Sequence, residues 1–134
     1  MIENRIRSIL ADVLDIETQQ LEAETDLIRE LGAESIDLLE IALSLEREFG
    51  IKVDENKLFL KSFRFYSDEA RDKDLNQMDY LKTNYPFLPK KRLKELLDDM
   101  KYSIVPSIKI KDLISYVEWM LKRNNKEKKE HKKV

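Results

Sequence analysis

Only two glycines occur in this chain, Gly32 and Gly50, and between them lies SIDLLEIALSLEREF, residues 35–49. Leu38, Leu39, Ala42, Leu45 and Phe49 recur at helical spacing along that segment, which predicts an amphipathic helix. Ser35 is a favoured N-cap type and Gly50 suits the left-handed position just past a helix end. A helix with both ends marked constrains what surrounds it. With three prolines and much Leu, Ile, Glu and Lys, the other segments are expected to be helical too.

Ile2, Ile6, Ile9, Leu10, Val13 and Leu14 predict a first helix over about 2–15. Residues 16–34 lack a long periodic run but keep apolar anchors at Ile16, Leu21, Leu27, Ile28 and Leu31. A connection of this length is unusual in a compact domain and is often functional. Residues 58–106 hold eight of the eleven aromatics, so this segment has apolar surface to bury. Asp74 with Gln77 resembles a capping box opening a helix to about Asn84. After Pro86 and Pro89, Leu93, Leu96, Leu97 and Met100 mark another over about 90–102. Ile110, Leu113, Ile114, Val117 and Leu121 mark a last helix over about 110–123. A basic tail, 122–134, without apolar periodicity is expected to be disordered.

The net charge of −2 hides a segregation. Residues 1–60 carry six Lys/Arg against fifteen Asp/Glu, whereas 122–134 carry seven against two. The acidic front half points to basic partner surfaces and argues against nucleic-acid binding. There is no cysteine, and the one histidine is His131 in the tail. Cysteine nucleophiles, thiolate metal sites and a packed serine–histidine pair are thereby excluded, and the chain is not expected to be an enzyme. No apolar run reaches membrane-span length, and MIENRIRSIL lacks a signal-peptide core. A cytoplasmic protein without stable membrane insertion is expected, and the basic tail is read as a solvated end.

Leu31-Gly32-Ala33-Glu34-Ser35-Ile36-Asp37-Leu38-Leu39-Glu40 resembles the prosthetic-group site of acyl carrier proteins, which usually show Gly-x-Asp-Ser-Leu at the start of their second helix. The likeness continues through Leu45-Glu46-Arg47-Glu48-Phe49-Gly50-Ile51-Lys52-Val53 and returns at Lys109-Ile110-Lys111-Asp112-Leu113-Ile114-Ser115-Tyr116-Val117. It covers about 1–57 and 107–121 and leaves 58–106 outside. Glu34 stands where the family has aspartate, and Ile36 where it has leucine.

The resemblance implies an all-α fold, an acyl-carrier-like four-helix bundle forming one domain over 1–121, with an inserted helical pair in 58–106. It implies a covalent 4'-phosphopantetheine on Ser35. A phosphate is well placed at a helix start, where unpaired N–H groups and the positive end of the helix dipole face it. The chain would shuttle thioester-bound acyl groups in fatty-acid, lipid or polyketide-type biosynthesis. Asp37, Glu40, Glu46 and Glu48 would dock basic patches on a phosphopantetheinyl transferase and on acyl-processing enzymes, charge complementarity setting encounter and orientation. Leu39, Ala42, Leu43, Val53 and Leu58 would line an acyl pocket between helices, although for any one of them taken singly plain core packing is the preferred reading. The insert would enlarge or cover that pocket, dock one dedicated enzyme, or only stabilise the bundle. The carrier is expected to act as a monomer. The alternatives are a peptidyl or aminoacyl carrier, or an interaction module that keeps the fold without the arm.

Overall fold

Each run of apolar residues at helical spacing is a helix in the structure, a computed structural model that describes residues 1–132. Helices α1 (Ile2–Leu14), α2 (Ser35–Phe49), α3 (Glu55–Leu58) and α7 (Ile110–Lys132) form the expected bundle. Between α3 and α7 lie α4 (Phe63–Asp72), α5 (Gln77–Asn84) and α6 (Lys90–Asp99). The expected pair is therefore present as α5 and α6, with α4 ahead of it.

The apolar stripes meet in one core. Ile6 and Leu10 of α1, Ile41 and Leu45 of α2, and Leu113 and Val117 of α7 are all fully buried. Arg5 holds α1 to the end of α2, donating to Glu48 Oε1 at 2.7 Å and lying 4.4 Å over the Phe49 ring. Gly50 closes α2 at φ 63°, donating its N–H to the Glu46 carbonyl at 2.9 Å. That left-handed backbone is costly for a residue with a Cβ.

Two boundaries differ from the sequence reading. The cap of α5 is Asn76, whose side chain accepts the Asp79 N–H at 2.9 Å, and Asp74 instead sits at φ 54° in the turn after α4. An amide oxygen one residue before the helix reaches the first turn directly, so no Asp74–Gln77 box forms. Helix α7 runs on to Lys132, past the expected end near 123. Lysine, arginine and glutamate are good helix formers, and no glycine or proline interrupts them. Residues 133 and 134 of the expected tail lie outside the described residues.

The insert is welded to the bundle in two ways. A run of aromatic contacts passes from Phe63 to Tyr85 (5.5 Å between centroids), Tyr85 to Phe87 (6.3 Å) and Phe87 to Tyr116 (5.0 Å). On the other side, Arg92 of α6 meets Asp112 of α7 in an ion pair whose side chains are 5% and 2% exposed.

The long 16–34 connection packs down through Leu21 and Leu27, both fully buried. Its backbone pairs with the approach to α7. The Leu27 N–H donates to the Ile108 carbonyl at 2.8 Å, and the Ile110 N–H to the Thr25 carbonyl at 3.1 Å. Glu24 adds ion pairs to Lys109 and Lys111, each at 2.7 Å. Those two ammonium groups hold the Glu24 carboxyl down to about 2, from the ordinary 4.5. A carboxyl lowered on folding stabilises the fold above its unfolded pKa and loses that contribution as pH falls toward the folded one. Glu24 is well exposed, so Glu24→Gln is expected to cost only about 0.5–1 kcal/mol at pH 7. The difference from wild type should close between about pH 4.5 and 2. Unfolding midpoints across that range check it, and a constant difference would contradict it.

Candidate functional site

The segment before α2 is held rigid, and Ser35 stands out from it. Gly32 takes φ 66°, with its N–H on the Ile28 carbonyl at 3.0 Å. Ala33 is buried and donates its N–H to the Leu27 carbonyl at 2.9 Å. The chain then turns outward through Glu34, which is extended (φ −100°, ψ 172°) and is the N-cap. Ser35 is the first helical residue and is not the cap that its type suggests. The Glu34 N–H donates to Asp37 Oδ2 at 2.8 Å, so the carboxylate three residues on steadies the turn.

Ser35 is exposed. At this position in a helix, the N–H groups of Ser35 and Ile36 have no intrahelical acceptor. The positive end of a 15-residue helix dipole lies there as well. An uncovered hydroxyl beside free donors fits a phosphodiester.

The four expected docking carboxylates are placed unequally. Glu40 is exposed and has no ion pair among the described residues. Asp37 is engaged with the Glu34 N–H. Glu46 accepts the Val53 N–H at 2.9 Å, and Glu48 pairs with Arg5. Arg47 reaches the Ser44 hydroxyl at 3.3 Å instead of a carboxylate.

The five expected acyl-pocket residues are not brought together. Leu39 and Leu43 are 46% and 45% exposed, so they face outward and line no interior space. Their positions on α2 fall about one turn apart on the side away from Ile41 and Leu45. Ala42 and Leu58 are packed in the core, and Val53 is half-buried against it. Ile36, 71% exposed, joins Leu39 and Leu43 in an apolar strip leading from Ser35.

An open, largely apolar cavity lies elsewhere, in the insert. It has a volume of about 270 Å³ and is walled by Leu60, Phe63, Leu96, Met100, Ile104 and Val105. The density of aromatics in 58–106 pointed to apolar surface to bury there, but of those eight Phe63 alone lines this wall. The wall joins α4, α6 and the 100–109 segment, whose closeness is not local in sequence.

An all-helical bundle whose second helix opens on a presented hydroxyl defines a carrier-type domain. Residues 4–62 match the family model for a phosphopantetheine attachment site. The chain is 31% identical over 55 residues to an acyl carrier protein of Nitratidesulfovibrio vulgaris strain DP4, covering 41% of this chain and 72% of that one. It is 39% identical over 57 residues to an acyl carrier protein of Thermotoga maritima, covering 42% of this chain and 70% of that one. The chain belongs to the acyl carrier protein family, whose prosthetic group is a covalently attached 4'-phosphopantetheine. The family match ends before α4 begins.

Proposed function

We propose that Ser35 carries the phosphopantetheine arm and that the chain shuttles thioester-bound acyl groups between enzymes of fatty-acid, lipid or polyketide-type biosynthesis, itself catalysing no step. One observation supports this above the others: within the matched segment, Ser35 is the exposed hydroxyl at the start of a long helix. The other serines there are placed less well. Ser8 and Ser44 lie inside helices, and Ser62 is half-buried. The arm supplies the thiol that this cysteine-free chain lacks. The chain's own part is to present the Ser35 oxygen, to set N–H donors beside the phosphate, and to orient the domain on its partners.

Glu40, the strip of Ile36, Leu39 and Leu43, and the partly engaged Asp37, Glu46 and Glu48 form the surface next to Ser35. A transferase or acyl-processing enzyme with a basic, partly apolar patch fits it. A monomer acting in the cytoplasm completes this reading. Among the described residues no helix is long and apolar enough to cross a membrane.

Incubation with coenzyme A and a broad-specificity phosphopantetheinyl transferase is expected to raise the intact mass by one arm. Ser35→Ala should abolish the gain, and Ser44→Ala should keep it. An unchanged wild-type mass, or a gain that survives Ser35→Ala, would overturn the assignment.

A further inference from the structure

We propose that the acyl chain carried on the arm is sheltered in the insert cavity walled by Leu60, Phe63, Leu96, Met100, Ile104 and Val105, outside the core between α1, α2 and α7. This rests on the Ser35 assignment above and adds where the cargo goes.

Three observations carry it. First, the bundle core is filled. Ile6, Leu10, Ile41, Leu45, Leu113 and Val117 leave no exposed surface, and a packed interior takes an added chain only by rearranging. Second, the insert cavity of about 270 Å³ is open and largely apolar, which suits a hydrocarbon leaving water. Lys61, exposed on its wall and without an ion pair among the described residues, can donate to the carbonyls of an entering arm. Third, backbone hydrogen bonds tie the attachment segment to the stretch of chain that follows the cavity wall. Ala33 donates to the Leu27 carbonyl and Leu27 to the Ile108 carbonyl, next to Ser107 in the cavity wall. Two such paired steps of roughly 5.5 Å, with two further residues spanning at most about 7 Å, put the Ser35 backbone within about 20 Å of Ile108. Arg29, from the same connection, donates to the Val105 carbonyl and pins the cavity lip. A tethered chain samples such a site at high effective concentration, so weak apolar contacts suffice to fill it.

The four methionines, Met1, Met78, Met100 and Met120, give a simple readout, because Met100 alone of the four lines the cavity. The protein, labelled with 13C at its methionine methyls, is loaded from acetyl- and from dodecanoyl-coenzyme A, with intact mass recording each loading. The dodecanoyl form is expected to shift the Met100 methyl while Met78 and Met120 stay near their acetyl-form positions. Hydroxylamine should cleave the dodecanoyl thioester more slowly than the acetyl one, by roughly fivefold or more. Ile104 is 91% exposed, so Ile104→Asp should fold. It should cancel the Met100 shift and bring the cleavage rate back toward the acetyl value.

A loaded dodecanoyl form with Met100 unmoved overturns the cavity assignment and leaves the Ser35 assignment standing. So does a Met100 shift that appears only when the transferase is added, which would make the cavity a docking face. Absence of any mass gain overturns both.

Discussion

Replacing Asp112 with alanine is expected to destabilise the protein by about 3–5 kcal/mol, the cost of stranding a buried charge. Asp112 is 1% exposed. Its carboxylate accepts from Arg92 Nε at 2.9 Å and Nη2 at 2.8 Å, and from the Lys109 N–H at 2.9 Å. Burial by itself would weaken the Arg92 hold on its proton, yet the bonds to Asp112 raise it above the ordinary value. Without Asp112, the guanidinium keeps only Ser107 and the longer contact to Glu95 at 3.3 Å. Desolvation would then go uncompensated, and α7 would also lose the carboxylate that caps its first turn. Urea unfolding measures the loss, and a change below 1 kcal/mol would refute the account. The pair Arg92→Met with Asp112→Leu should recover much of it, because apolar replacement of a whole buried pair is far milder than removing one partner. Since Arg92 belongs to α6, amide exchange in the Asp112→Ala variant should rise first in the insert.

Tyr85→Phe is expected to act in the opposite direction and to stabilise the fold by about 1–3 kcal/mol. Tyr85 is fully buried, and its hydroxyl meets no hydrogen-bond partner among the described residues. Burial pushes its phenol well above the ordinary 10. The ring still matters, because it touches Phe63, Tyr66 and Phe87 at centroid distances of 5.5, 5.9 and 6.3 Å. Phenylalanine keeps those contacts and removes the unsatisfied oxygen. Thermal unfolding decides the matter. A lower midpoint for Tyr85→Phe would mean that the oxygen is satisfied and the argument wrong. Tyr116 serves as the contrast. Its hydroxyl accepts the Asp54 N–H at 2.9 Å, so Phe at that position removes a bond that α3 uses.

Helix α4 shows where the pattern in the chain ran out. Phe63, Ser67 and Ala70 are its buried positions, and a face built from one aromatic, a serine and an alanine gives little periodic signal among Arg64, Asp68, Glu69 and Arg71. Ser67 is buried only because its hydroxyl meets the Gln77 side-chain amide at 2.6 Å across the turn to α5, a partner that spacing within one helix does not reveal. The pocket expectation failed for a related reason. Leu39, Ala42 and Leu43 are apolar alike, but Leu39 and Leu43 share the outward side of α2 while Ala42 faces the core, and apolarity alone does not say which side a neighbour will cover.

What the amino-acid order determined alone was local: the bounds of α2 between its two glycines, the stripes of α1 and α7, and a serine at a helix start. These follow from backbone dihedral preferences and a 3.6-residue period, both short-ranged. The tertiary structure alone decided which distant groups meet. Arg92 finds Asp112, Leu27 finds Ile108, and an insert wall assembles from α4, α6 and the segment before α7. Those meetings are set by how the helices close over one shared core, and that closure depends on every element at once.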